Sequence, residues 1–203
     1  MARPPKQFLA PEDWSDFRER YESSDDRSCA ILCAAYLDDC LDVLVRSALM
    51  GNNDAKNRLF SDMMPLSSFS AKINIAFCLN LIHDTVYDDL HRIRRIRNEF
   101  AHRIVDLAFS VEPVRSLCYA LVFPREYLDS DELSHLSDSP REYFIFTCAM
   151  FSAFFEGQYL QRAGKLKELL GDLEQLASMT SSNVGQMLVV EANNLEQSVT
   201  HEQ

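Results

Sequence analysis

The segment from residue 27 to residue 50 constrains the fold most, because it is apolar on almost every side of a helix. Its apolar positions leave little room for a polar face: Ile31, Leu32, Leu37, Leu41, Leu44, Val45 and Leu49. The one polar ridge, which Asp38, Asp42 and Arg46 form, follows four-residue spacing. A helix that is apolar all round has to be covered by other elements. The segment is therefore predicted to be the central helix of a bundle.

Helical spacing continues through most of the remaining chain and strands are nearly absent, with residues 117–123 predicted as either a helical turn or a short buried strand. The clearest period lies between residues 85 and 104: Val86, Leu90, Ile93, Ile96, Phe100 and Ile104. Further helices are predicted at residues 12–22, 54–63, 69–79, 141–158 and 160–179. Glycine is rare, with five in 203 residues. We expect an all-α multi-helix bundle that forms one domain over residues 1–180, followed by a flexible polar tail at 181–203.

The composition predicts a cytoplasmic protein. A net charge of −11 disfavours nucleic acid unless a local basic patch overrides it. The chain shows neither a signal peptide nor an uninterrupted apolar span, so no membrane contact is expected. The six cysteines have apolar neighbours and no C-x-x-C spacing, which indicates reduced core thiols. No metal or cofactor motif occurs, and none is predicted to bind.

Two strings carry the most information about function. They are PLSSFSAKI at residues 65–73 and DLHRIRRIRNEFAH at residues 89–102. Together they resemble the mannitol operon repressor family, and the resemblance extends over residues 27–102. It implies an all-α fold without an evident helix-turn-helix. It also implies a negative effect on transcription of a sugar-alcohol operon, and it leaves direct contact with DNA open.

The residues of these strings suggest binding sites that do not depend on the resemblance. Ser67 or Ser68 can cap a helix that follows Pro65, and a free helix N-terminus can hold an anion. Lys72 would either add a cation to that site or be solvated. In the second string, Arg94 and Arg97 lie on the most basic segment of an acidic chain. The candidate binding residues are therefore Ser67, Ser68, Lys72, Arg94, Arg97 and His102. Plain helix capping and ordinary ion pairs are the structural alternative.

The second string also permits an enzyme. Arg97, followed by Asn98 and four residues later by His102, resembles the signature of HEPN-type helical ribonucleases. That resemblance implies that the arginine stabilises phosphate charge and that the histidine acts as general acid or base. On a regular helix, however, residues five apart point about 140° from each other. In the structural alternative, Asn98 and His102 hydrogen-bond to a neighbouring helix or a buried acid, and Arg97 pairs with a carboxylate. Asp38, Asp39 and Asp42 are the predicted partners of Arg94 or Arg97.

Two hypotheses of different classes follow. The first is a non-enzymatic transcriptional regulator that acts through contacts with a protein partner or a second copy of itself. The second is a metal-independent HEPN-type ribonuclease that uses Arg97 and His102. The segment 144–155, which is rich in phenylalanine, is expected to form core or a homodimer interface.

Overall fold

A computed structural model describes residues 8, 23–103, 107–127 and 138–179, with side chains as far as residue 165. Every regular element in these ranges is an α-helix, which confirms the predicted all-α multi-helix bundle. The helices are α1 (Asp26–Ala48), α2 (Asn53–Phe60), α3 (Phe69–Cys78), α4 (Asp84–His102), α5 (Val114–Tyr119), α6 (Phe123–Tyr127) and α7 (Pro140–Met179). The helix predicted at 12–22 and the tail predicted at 181–203 lie outside the described residues.

Helix α1 is the central element, as its all-round apolar pattern predicted. It starts at Asp25, whose carboxylate accepts a hydrogen bond from the Ser28 amide at 3.1 Å and so caps the first turn. Leu37, Leu41 and Leu44 are fully buried. The helix packs against α3, α4 and α7. These three helices cover most of α1, but Ile31 and Leu32, near its start, are exposed among the described residues, so the predicted coverage on all sides is incomplete there.

Helices α3 and α4 form an antiparallel pair over α1, joined by a short turn through Asn80, which adopts a positive φ of 54°. Ser68 caps α3, since its hydroxyl accepts the Ala71 amide at 3.2 Å. Helix α4 begins one residue earlier than predicted: His83 occupies the N-cap position without a side-chain bond, and Asp84 is the first helical residue. The Asp84 charge still favours this end of the helix dipole.

The C-terminal part differs from the prediction in one respect. Residues 141–158 and 160–179 were expected to form two helices, whereas α7 is continuous over 40 residues. No proline follows Pro140 within this range, and Gly157 and Gly164 have no close neighbour that would force a break. A glycine in a helix costs only about 1 kcal/mol relative to alanine, and flanking helix formers outweigh that cost.

The core is rich in aromatic side chains from α7. Phe144, Phe151 and Phe155 are fully buried, which confirms the core alternative for this segment. Cys78 is the exposed thiol among the six free cysteines, and the other five are buried. Within the described ranges, none of the helices combines the length and apolar character that a membrane crossing requires.

Candidate functional site

Helix α4 has one face in the core and a cationic face outside it. Its buried positions follow helical spacing: Val86, Asp89, Leu90, Ile93, Ile96 and Phe100. The apolar members are those the sequence predicted, with Ile104 outside the described residues. Asp89 is the exception, because it is a carboxylate with no exposed surface inside an apolar stripe. Four arginines and two histidines occupy other positions around the same helix, with Arg97 at the border of the buried stripe.

The cationic side borders a groove between α4 and α5. Its volume is about 440 Å³, and its lining combines polar residues of α4 with one apolar residue of α5: His91, Arg92, Arg94, Arg95, Asn98 and Leu117. The spacing explains the set, because His91, Arg95 and Asn98 follow each other at steps of four and three on one side of a helix. The short α5 supplies the second wall.

Arg92 is held in place by the buried Asp89. Arg92 Nη1 donates to Asp89 Oδ1 at 2.6 Å, while Asp89 Oδ2 accepts the backbone amides of Val122 and Phe123, both at 2.8 Å. Burial raises the pKa of Asp89, and these hydrogen bonds oppose the rise. Asp89 thus fixes the start of α6, neutralises Arg92 and orients it at the edge of the groove.

His91 is held by two residues on the side of the groove nearer α3. Its Nε2 lies 3.3 Å from Asn74 Oδ1, and its ring contacts Tyr87 edge-on at 4.6 Å between ring centres. Burial lowers the pKa of His91, and the charge of Arg94 lowers it further, while Asp88 opposes both. The imidazole is therefore neutral at pH 7.

Arg94, Arg95 and Asn98 lack partners in the part of the chain that the structure describes. Arg94 Nε is shielded from solvent and has no hydrogen-bond acceptor there. Arg95 is exposed, and Asn98 is half-buried. No acidic side chain forms an ion pair with either arginine within those ranges. A shielded donor without an acceptor costs about 1–3 kcal/mol of folding free energy. Arg94 and Arg95, which have no acidic partner among the described residues, give this side of the groove a positive charge.

The structure does not bring Arg97 and His102 together on one face of α4. The helix stays regular up to His102, its last residue, so the two side chains leave it about 140° apart. Arg97 is half-buried outside the groove lining, and His102 is exposed. His102 instead continues the ridge of Arg95 and Asn98 by its four-residue step. A joint site for Arg97 and His102 would need a second molecule.

The first string, residues 65–73, mainly builds the fold. Ser68 caps α3, and the Ser67 hydroxyl donates to the Met64 carbonyl at 2.8 Å. Lys72 is only 2% exposed, so the expectation of a solvated lysine is wrong. Its Nζ lies 2.7 Å from Asp38 and 3.3 Å from Asp42. These partners account for Lys72, and an anion-binding role at the start of α3 stays a prediction.

The aspartates of α1 have partners other than the arginines of α4. Asp38 was predicted to neutralise Arg94 or Arg97, and it instead binds Lys72. Asp42, which is buried, contacts Lys72 and also Arg46 one turn further along α1. The reason is topological: α3 places Lys72 over the polar ridge of α1. Among the described residues, Arg94 and Arg97 consequently have no acidic partner.

A second hollow lies next to α5 but is electrostatically satisfied. It measures about 490 Å³ and is lined by Glu112, Arg115, Ser116, Tyr119 and Ala120. Its two charges pair with each other, since Arg115 Nε lies 3.0 Å from Glu112. Across the described ranges, no three histidine, cysteine or acidic side chains gather closely enough to hold a metal ion. The groove between α4 and α5 is therefore the stronger candidate.

Comparison of the chain with family models, curated proteins and solved structures finds no match.

Sequence reasoning identified Arg94 but missed other residues of the groove. Arg92 and Arg95 resembled ordinary solvated arginines, and His91 drew no attention. The four-three-four spacing of His91, Arg95, Asn98 and His102 is a signal that could have found this ridge. Leu117 could not be found in this way, because only the tertiary packing of α5 on α4 places it opposite the arginines.

Proposed function

We propose that this chain is a cytoplasmic, non-enzymatic regulator of transcription of the mannitol operon repressor kind. It acts through contacts that the cationic face of α4 makes with an acidic protein surface. The observation that carries the proposal is that Arg94, Arg95 and Arg97 have no acidic partner among the described residues, on a chain whose net charge is −11. Guanidinium groups that no carboxylate of the same chain offsets can attract an acidic surface of a partner.

Charge complementarity favours a protein partner over a long stretch of DNA. A duplex is attracted through many phosphates at once, and an acidic chain with one short basic helix face repels most of them. An acidic protein surface can match the face locally and gain orientation from it. A second copy of this chain, with its own negative charge, could itself supply such a surface, so a homodimer is included in the proposal.

The test is transcription of sugar-alcohol operons in cells that lack the chain. We expect transcript levels to rise on deletion and to fall again when the wild-type chain is returned. The variant R94Q/R95Q/R97Q should fail to lower them, while R58Q/R115Q/R162Q, which changes net charge equally at exposed arginines, should succeed. If deletion leaves these transcripts unchanged, the proposal is wrong. R95Q alone, at an exposed site, repeats the test should the triple variant unfold.

A HEPN-type ribonuclease is the second candidate, and one observation favours it. Neither Arg97 nor His102 forms an ion pair or hydrogen bond with any described residue, so both stay free for a substrate. Because they diverge on α4, catalysis would require Arg97 of one copy to meet His102 of another. This candidate predicts RNA cleavage in a chelating buffer, lost in both R97A and H102A. Absence of cleavage by the wild-type chain would remove it.

A further inference from the structure

We propose that the groove between α4 and α5 binds a small phosphate monoester. This inference goes beyond the proposed regulation, and it stands or falls by binding to the purified chain whatever partner α4 contacts. It follows from the charge balance of the groove, from its guanidinium and amide donors, from two lining side chains that are held in place and from the size of the space.

The charge balance of the groove matches a dianion. Three guanidinium groups line it, and Asp89 neutralises Arg92 at 2.6 Å. Arg94 and Arg95 have no acidic partner within the described ranges, so two positive charges remain uncompensated. A phosphate monoester carries close to two negative charges at neutral pH, because its second pKa is about 6. A phosphodiester carries only one charge for each phosphate.

The donors also fit phosphate. Arg94 Nε is shielded from water and lacks an acceptor among the described residues. A planar guanidinium can bind phosphate through two parallel hydrogen bonds from its terminal nitrogens, which leaves the shielded Nε out of the contact. Asn98, four residues after Arg94 on the same helix, adds an amide donor to this wall. A phosphate would thus meet guanidinium groups that have no acidic partner among the described residues.

Two side chains that line the groove, Arg92 and His91, are held in place before any ligand arrives. Arg92 is anchored by a carboxylate that two backbone amides hold, and His91 is anchored by Asn74. Side chains that are already ordered lose little entropy on binding, which raises affinity. The volume of about 440 Å³ lies within the range of small-molecule sites, roughly 300–1,000 Å³. Leu117 offers an apolar surface to the organic part of the ester.

The experiment is calorimetric titration of the full chain with phenyl phosphate, whose ring can lie against Leu117. Phenyl sulfate, a monoanion of similar shape, and a short single-stranded oligonucleotide are the comparison ligands. We expect phenyl phosphate to bind more tightly than phenyl sulfate. R94Q should weaken binding roughly tenfold or more, because it removes a charged hydrogen-bond donor. R115Q, which removes an arginine from the neighbouring hollow, should leave the affinity within about twofold of the wild-type value.

L117E tests the same site without removing an arginine. A carboxylate placed at residue 117 would neutralise Arg94 and Arg95 from within the groove, so it should abolish phenyl phosphate binding; because Leu117 also packs against the core, circular dichroism must show that this variant is folded, and R94Q carries the test if it is not. The inference is overturned if the wild-type chain does not bind phenyl phosphate, or if R94Q and L117E bind it unchanged. It is equally overturned if only the oligonucleotide binds, because the groove would then serve nucleic acid.

Discussion

Replacing Asp89 by alanine should destabilise the fold more than any other single change at a charged residue of α4. The Asp89 carboxylate has no exposed surface and accepts the Val122 and Phe123 amides at 2.8 Å. Phe123 is almost fully buried, so its amide would lose its acceptor outright, whereas water can reach part of the Val122 amide. Counting about 2 kcal/mol for the first donor and about 1 kcal/mol for the second gives a loss of about 3 kcal/mol.

The asparagine variant sharpens this prediction. Both amides bond the same carboxylate oxygen, so an asparagine can keep both bonds while it loses the charge beside Arg92. D89N should therefore cost only about 1 kcal/mol. The assay is equilibrium unfolding of the full chain in urea at neutral pH. E99A is the control, since the exposed pair of Glu99 with Arg103 is worth about 0.5 kcal/mol. A D89A loss no larger than that of E99A would refute the reasoning.

Three further predictions concern pH, the buried lysine and the thiols. Burial raises the pKa of Asp89 above 3.8, so its contribution to the free energy of unfolding is fully present below pH 3.8 and is lost as the pH rises through its folded pKa. The difference in free energy of unfolding between wild type and D89N should therefore shrink from pH 3.8 to neutrality, and a difference that grows would contradict this. K72A should lose about 3 kcal/mol in urea unfolding, because it leaves the buried Asp42 with one cation fewer, while a loss like that of the exposed K165A would argue against it. A thiol reagent should label the exposed Cys78 rapidly in the native chain and the other thiols slowly. The other thiols are buried, and burial raises the pKa of both Cys40 and Cys118 to about 12. Rapid labelling of a second cysteine would contradict the packing.

The helices could be predicted from sequence because their signals are local. The apolar circumference of α1 and the stripe of α4 follow directly from side-chain spacing. The capping role of Ser68 follows from its position before an apolar run. The continuity of α7 was missed because a weak point such as Gly164 breaks a helix only when the surrounding structure demands it.

The partners of charged residues could not be predicted in the same way. Asp38 lies 34 residues from Lys72, and nothing in local spacing favours that lysine over the arginines of α4. Asp89 resembles a solvated acid in the sequence, although its three-residue spacing from Val86 places it in the apolar stripe. Its two backbone donors come from residues more than 30 positions away. Tertiary packing alone decides which arginines have an acidic partner.

The availability of the α4 arginines is the claim on which both the proposed function and the phosphate site depend. Modification of the native chain with an arginine-specific dicarbonyl, with each site followed by mass spectrometry, tests it most directly. Arg94 and Arg97 are half-buried like Arg46, but Arg46 is paired with Asp42 and Asn57. We predict that Arg94, Arg95 and Arg97 react faster than Arg46, and that phenyl phosphate protects Arg94 and Arg95 but not Arg97. Reaction of all three at or below the rate of Arg46 would contradict the account.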